Sequence, residues 1–407
     1  MNNEVRTDTL SNGLRVVGRR SDGNVAYIGV AVNAGSRDEP ADREGLAHFV
    51  EHTLFKGTKR RKSWHISNRL ESVGGEVNAY TSKEETLIYT TAPAGNAERA
   101  IELLADIIRN SVFPAGELDK ERGVVIEEIH SYLDSPSDNV FDCYEELIFA
   151  GSPLAHNILG TPDSVMSLTG GDCRTFLDTK YTPDNMVIYA VTPDDPARIL
   201  RLLERYFSGL HYSVSGLNRS MPVEAAPFDK VIDKSGHQAH TILGTRLFGR
   251  LDERRYALFL YNNYLGGPNM SSRLNQEIRE RRGLAYSVDS TVSLYSDTGT
   301  LNIYAGCDRE NTARCINLIR NEIDRLAQGP VSERIFARIR EQYRGQLLVR
   351  SDHREGSAMS LAKSMLYFGR IIDATYTARR VMELTREEFL EICRLVASRS
   401  LNRLTLQ

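Results

Sequence analysis

Apolar residues recur along this chain at two spacings, and stretches with an alternating pattern give way to stretches with a helical one. The first half shows a strand, a turn, a helix and a second long helix at residues 85–91, 92–95, 97–109 and 117–133. The second half repeats this order at residues 300–304, 305–306, 311–328 and 332–350. The repetition predicts an α+β chain with an internal duplication, whose period is too long for a solenoid.

The boundary between the two halves is predicted from composition. Residues 213–228 contain Ser, Gly, Asn and two Pro, a composition typical of a linker. We therefore expect an N-terminal domain at residues 1–212 and a similar C-terminal domain at residues 229–407. A chain of 407 residues is long enough for two or three domains with substantial cores.

Composition narrows the class of protein. The apolar content of 41% and the charged content of 26% are ordinary for a globular enzyme. A net charge of −3 argues against nucleic acid or an anionic membrane as the main partner. The chain has no 18-residue apolar run and no apolar segment at its N-terminus, so we expect no membrane span, no secretory signal and a cytoplasmic location. A processed secreted or periplasmic protein would look the same.

Five cysteines, an odd number without a CxxC pair, predict reduced structural thiols and argue against a thiolate zinc site.

The motif that carries the clearest chemistry is His48-Phe49-Val50-Glu51-His52, which reads HxxEH. On a helix, residues i and i+4 share one face, so both imidazoles can bind a single Zn²⁺ at about 2.0–2.1 Å. Glu51 then lies near the open side of the metal, where a carboxylate can take a proton from water. Asp42 is a possible N-cap of this helix, and Lys56 with the following glycine is a plausible C-terminus.

A single histidine on an apolar helix face is more often a core residue than a ligand, and the motif lacks a third ligand. A second helix, at residues 117–133, offers one. Glu121 and Glu128 are two helical turns apart and share a face, whereas Glu127 falls about 100° away. The alternative is a solvated acidic face.

These motifs resemble the pitrilysin family of zinc peptidases, the inverzincins, and look closest to the branch of mitochondrial processing peptidase and short bacterial homologues. Glu128 lies 76 residues after His52, the spacing at which that family places its third ligand. The resemblance implies one Zn²⁺ per chain bound by His48, His52 and Glu128. The resemblance also implies that Glu51 is the general base and that Glu121 is an acidic residue next to a metal ligand, which it supports without binding the metal.

The resemblance extends over nearly the whole chain. The segment Gly74-Gly75-Glu-Val-Asn78-Ala79-Tyr80-Thr81 matches the family's substrate-binding strand, which implies that Asn78, Ala79 and Tyr80 bind peptide. Family members also place an Arg and a Tyr seven residues apart in the second half, and Arg279 and Tyr286 fit. The alternative for these two residues is a surface Arg and a core Tyr. The implied fold is two homologous sandwich domains, each with a mostly antiparallel sheet against long helices, arranged as a clamshell.

The chain departs from the family pattern at Ser152-Pro-Leu-Ala-His156, where His-Pro-Leu-Gly-Arg is common, and at Asn275, where a Phe is common. His156 is either a substrate contact or, as we expect, a surface-loop histidine. These departures concern substrate preference and domain packing and leave the zinc motif intact.

Three functions compete at this point. The first is a zinc endopeptidase that cleaves peptides or unfolded, presequence-like segments. The second is a non-catalytic scaffold or partner subunit of a paired peptidase, and the third is a metal-binding or redox module of unrelated fold. The intact set His48, Glu51, His52 and Glu128 favours the first. Family members of this length commonly pair, so the resemblance implies a homodimer or a heterodimer with a paralogous chain.

Overall fold

The structure is a computed structural model that describes residues 5–211, 216–234, 236–329 and 331–407. Residues 213–215 of the predicted linker lie outside this part of the chain. Contacts divide the chain into a first unit, residues 1–130, 156–219 and 351–373, and a second unit, residues 131–155, 220–350 and 374–407. This division is not contiguous in sequence, and the predicted boundaries at residues 212 and 229 stay a prediction.

Eleven strands lie within the described residues: β1 Arg6–Thr9, β2 Arg15–Arg20, β3 Val25–Val32, β4 Glu76–Thr81, β5 Thr86–Pro93, β6 Met186–Thr192, β7 Asp229–Ile232, β8 Gln238–Phe248, β9 Ala285–Leu294, β10 Thr298–Asp308 and β11 Asn402–Leu406. The α-helices of the same part of the chain are α1 Leu46–Leu54, α2 Ser63–Glu71, α3 Ala97–Asn110, α4 Ala115–Leu133, α5 Pro136–Ile148, α6 Pro162–Ser167, α7 Gly170–Lys180, α8 Pro196–Phe207, α9 Arg255–Gly266, α10 Thr312–Ala327, α11 Glu333–Ser351, α12 Arg354–Phe368, α13 Ala374–Glu383 and α14 Arg386–Ala397. A π-helix spans Asn275–Glu280.

The first unit contains a six-stranded sheet in the order β1-β2-β6-β3-β5-β4. Its pairs are antiparallel except for β2 with β6. The strand β6 is buried along its whole length, as its unbroken apolar sequence predicts for a central strand. The amphipathic helices α3 and α8 pack their apolar faces into the same core.

The second unit contains a five-stranded sheet in the order β7-β11-β8-β10-β9, antiparallel except for β7 with β11. Helices α9, α10 and α14 supply much of its core. Each unit is thus a mostly antiparallel sheet packed against long helices, which confirms the predicted α+β class. No helix of the described residues is long and apolar enough to cross a membrane.

One helix from each half of the sequence packs on the sheet of the other half. Helix α12 places Ala358, Leu361 and Ala362 against an apolar face of the first sheet. Helix α5 places Val140 and Tyr144 in a core cluster of the second sheet. The sheets therefore bury apolar faces that neither half of the sequence covers by itself.

Two local predictions are wrong, and the predicted turn at residues 92–95 is shorter than expected because β5 continues to Pro93. The predicted turn at residues 305–306 is strand, because β10 continues to Asp308 and both residues pair with β8 in unbroken register. The predicted N-cap Asp42 is also wrong. The helix α1 begins at Leu46 with Gly45 as its N-cap, and Gly45 has a φ of 87° that favours glycine. The other long helices lie within two residues of their predicted bounds.

Candidate metal centre

The helix α1 carries the HxxEH motif, and its N-terminus is held by a residue that precedes the motif by nine positions. The buried carboxylate of Glu39 accepts hydrogen bonds from the backbone N–H of Gly45 at 2.9 Å and of Ala47 at 2.6 Å. These are two of the donors that the first turn of a helix leaves without an intrahelical partner. Glu39 therefore fixes where the helix begins and, with it, where both histidines lie.

His156 lies on the other side of the same carboxylate. Its Nε2 is 3.0 Å from Oε2 of Glu39, and the side chain is only 13% exposed. The prediction of a surface-loop histidine is therefore wrong. Neighbouring Leu159 and Gly160 approach Gly45 so closely that a Cβ there would lie 2.6 Å from the Leu159 carbonyl oxygen. The 156–160 segment thus holds the N-terminus of α1 in place.

The helix α4 carries Glu121 and Glu128 on the face that contacts α1. Glu127 is exposed, as the helical spacing predicts. Nε2 of His48 lies 3.8 Å, and Nε2 of His52 3.6 Å, from Oε2 of Glu128. Donor atoms of these three residues all lie within 4.8 Å of one another. Ligand atoms in a tetrahedral zinc site lie about 3.4 Å apart, so the donor set fits a metal of this size.

Glu121 hydrogen-bonds to His52 at Nδ1, the ring nitrogen that does not face Glu128. Oε2 of Glu121 lies 3.1 Å from Nδ1 of His52, and its Oε1 lies 2.5 Å from Nζ of Lys56. A proton on Nδ1 leaves the lone pair of His52 on Nε2, the nitrogen that faces Glu128. The ammonium of Lys56 compensates the charge of the nearly buried carboxylate.

The electrostatics of the motif suit a metal ligand and a base. Burial, together with the neighbouring His52, lowers the pKa of His48 to about 3, so its imidazole is neutral. Burial raises the pKa of Glu51, and the charge of Glu128 raises it further. A hydrogen bond from Thr81 and the neighbouring His52 act in the opposite direction. A carboxylate with a raised pKa is a better proton acceptor than an exposed one.

The strand β4 contains the predicted substrate-binding residues, and it also contacts Glu51, the predicted base. Thr81, its last residue, donates a hydrogen bond of 2.6 Å from Oγ1 to Oε2 of Glu51. Asn78 is exposed, Ala79 and Tyr80 are half-buried, and β4 is an edge strand whose pairing within the described residues is with β5. An edge strand offers free backbone groups to an extended peptide.

Arg279 and Tyr286 belong to the second unit. Arg279 lies on the π-helix and is exposed. Tyr286 is the second residue of β9. Gly283, with a φ of 59°, separates the two elements. The side chain of Tyr286 is exposed, so the alternative of a core tyrosine is wrong. Its hydroxyl donates to Oδ1 of Asp308 at 2.8 Å, and this contact raises its pKa.

Three residues of the site were missed at the level of sequence. Glu39 and Lys56 stand outside the motif, and their roles depend on which backbone or side-chain groups the fold brings to them. Thr81 ends a strand that the resemblance assigns to substrate alone. A threonine next to a turn carries no local signal that it will bind a carboxylate 30 residues earlier in the chain.

Comparison with known proteins gives two family matches and several close relatives. Residues 15–162 match the family described as insulinase (peptidase family M16), and residues 167–343 match the peptidase M16 inactive domain. An uncharacterized zinc protease of Mycobacterium tuberculosis is 34% identical over 97% of this chain and 91% of its own length. One from Bacillus subtilis is 34% identical over 90% of this chain and 89% of its own length.

Solved structures show the same fold at lower identity. A protease from Helicobacter pylori matches with a TM-score of 0.91 at 21% identity, over 100% of both chains. A peptidase M16 inactive domain from Pseudomonas fluorescens matches with a TM-score of 0.91 at 18% identity, over 99% of this chain and 98% of that one.

Proposed function

Since this chain belongs to peptidase family M16, the pitrilysin-type family, we propose that it is a zinc-dependent endopeptidase. The observation that carries the proposal is the convergence of His48, His52 and Glu128 on one point. The carboxylate of Glu51 belongs to the same motif and is held separately by Thr81. Its substrates are peptides or unfolded, presequence-like segments. One zinc ion per chain is the proposed cofactor.

The chemistry divides between the metal and the chain. A zinc ion held by His48, His52 and Glu128 would polarise the scissile carbonyl and make water easier to deprotonate. Glu51 accepts the proton of the attacking water and passes it to the leaving amine. Thr81 holds the Glu51 carboxylate in one orientation, and Glu121 holds the ring of His52.

We propose that substrate binds to β4 in an extended conformation. Backbone groups of Asn78, Ala79 and Tyr80 would hydrogen-bond to the peptide as an added strand. Such bonds read no side chains, so they suit an enzyme that accepts many unfolded segments. Arg279 and Tyr286 of the second unit are proposed to donate hydrogen bonds to substrate oxygen, where negative charge develops in the transition state.

Metal removal and return tests the function on the full chain. Treatment with a zinc chelator should stop cleavage of an unstructured peptide, and stoichiometric Zn²⁺ should restore it. Cleavage that persists in metal-free protein would contradict the proposal. A chain that holds one zinc and cleaves no peptide, alone or with a paralogous chain, would support the non-catalytic subunit instead.

A further inference from the structure

A polar cavity lies on the first unit, at helices α2 and α3. Its volume is about 310 Å³. The residues that line it, called the basic pocket below, are Arg60, Arg61, His65, Asn68, Arg69, Ser72 and Arg99. None of them takes part in the metal centre, and no acidic side chain is among them. The basic pocket is therefore a separate feature whose lining favours anions.

The charges around the basic pocket do not balance. Arg61 binds Glu102 at 2.7 Å and Asp106 at 2.5 Å, and Arg69 binds Glu102 at 3.3 Å. Four guanidinium groups thus face two carboxylates, and two positive charges are left over. Arg60 and Arg99 form no ion pair with any residue that the structure describes. A guanidinium group without an ion-pair partner binds carboxylates or phosphates strongly.

The flank of the basic pocket adds further charge and an aromatic ring. Lys59 and Lys62 are exposed and belong to the same Lys-Arg-Arg-Lys run as Arg60. Trp64, the single tryptophan of the chain, is 62% exposed, and its ring centroid lies 4.2 Å from that of His65. In a chain with a net charge of −3, this is a local concentration of positive charge. An exposed indole beside cations offers contact area to a polypeptide.

The basic pocket is joined to the proposed substrate strand by a short turn. Ser72 lines the pocket, and β4 begins four residues later at Glu76. Thr81, at the other end of β4, contacts Glu51. Five residue steps along a strand span about 17 Å. A peptide added along β4 with its scissile bond near Glu51 would therefore leave the far end of the strand close to α2.

We propose that the basic pocket binds an acidic segment of the substrate polypeptide, several residues away from the scissile bond. The inference rests on the proposed function, because it takes the bound polypeptide to be a substrate on β4. Among the proposed substrates, it assigns the chain a preference for unfolded segments with a cluster of Asp or Glu on one side of the cleavage site, over presequence-like segments, which are poor in acidic residues. The backbone contacts of β4 cannot provide such a preference by themselves.

Trp64 makes the test direct, because its fluorescence reports binding next to His65. The full chain with Glu51→Gln, which should not cleave, is titrated with a peptide of six consecutive glutamates and, separately, with one of six lysines. We expect a saturable change with the glutamate peptide, which weakens as salt increases, and none with the lysine peptide. Adding Arg60→Ala and Arg99→Ala should weaken binding by about tenfold or more.

The matched control removes the same charge elsewhere. Arg334 and Arg338 are exposed on α11 and have no ion pair among the described residues, so Arg334→Ala with Arg338→Ala should leave the affinity unchanged. The replacement of Arg60 and Arg99 by Lys should keep most of the binding, which separates loss of charge from loss of folding. Equal weakening in the control would overturn the proposal, as would binding of tripolyphosphate without binding of the glutamate peptide.

A bipartite peptide tests the link to β4. Eight neutral residues followed by six glutamates should bind at least about tenfold more tightly than the glutamates alone, because the second contact becomes intramolecular. Equal affinities would show an isolated anion site and overturn the link to substrate. Cleavage plays no part in either titration, so a failure of the proposed peptidase function is a separate outcome.

Discussion

Glu121 shows how a residue outside the proposed ligand set can orient a member of it. It accepts from Nδ1 of His52 and pairs with Lys56, and 6% of its surface is exposed. The sequence places it two helical turns before Glu128 on the same face, and the resemblance implies a supporting role. The contact with Lys56 could not be predicted, because it depends on where α1 ends relative to α4.

Glu121→Gln should weaken zinc binding by about 10–100-fold, because the amide has no negative charge to support His52 or to compensate Lys56. Zinc affinity, measured by competition with a chelator, checks this. Glu127→Gln on the same helix is the control, since Glu127 is exposed and should leave the affinity unchanged. Equal affinities for the two variants would show that Glu121 does not act on the site.

Thr81→Val keeps the shape of the side chain and removes the hydroxyl that holds Glu51. A hydrogen bond to a charged group contributes about 1.5–3 kcal/mol, so turnover should fall by about tenfold to a hundredfold with zinc content unchanged. Thr81→Ser restores the hydroxyl and should recover most of the rate. If Val and Ser variants turn over equally, the hydroxyl has no part in positioning the base.

At the scale of elements, the helix α1 shows what pattern can and cannot predict. The spacing of His48, Glu51 and His52 predicts one helix with both imidazoles on one face, and the structure has it at Leu46–Leu54. Its start was predicted at Asp42, since a local rule looks for a cap adjacent to the helix. The acceptor is Glu39, which reaches forward to Gly45 and Ala47 from the preceding loop.

Glu39→Ala should lower the free energy of unfolding of the first unit by about 1–3 kcal/mol, since two buried N–H groups lose their acceptor. Urea unfolding followed by Trp64 fluorescence measures this, because the only tryptophan lies in that unit. Asp42→Ala is the control, and the exposed Asp42 should have almost no effect. A larger loss of unfolding free energy with Asp42→Ala than with Glu39→Ala would support Asp42 as the N-cap, as the sequence predicts.

At the scale of the whole molecule, the sequence predicts that each unit combines a sheet with long helices. It does not predict that α5 packs on the second sheet and α12 on the first. Both α5 and α12 have apolar residues at helical spacing, and nothing in that spacing says which sheet they cover. A truncated chain of residues 1–212 lacks α12 and would expose Val17, Leu87 and Tyr189 of the first sheet. Tests of the second half should therefore use point variants of the full chain.

Tyr286→Phe removes a hydroxyl from the second unit and leaves the proposed metal ligands of the first unit unchanged. If that hydroxyl stabilises the developing oxyanion, turnover should drop by roughly 10²–10³ with zinc content and thermal stability unchanged. Tyr132→Phe, at another exposed tyrosine, is the control. A parental rate in Tyr286→Phe would limit this tyrosine to its contact with Asp308.

The most direct test of the zinc peptidase itself is the pairing of metal content with turnover in Glu51→Gln. The amide keeps the shape of the side chain and cannot accept a proton. We predict one zinc per chain, as in the parent, and a loss of peptide cleavage of about 10² or more. A variant that cleaves at the parental rate, or one that loses its zinc, would contradict the assignment of Glu51 as base and of His48, His52 and Glu128 as the ligands.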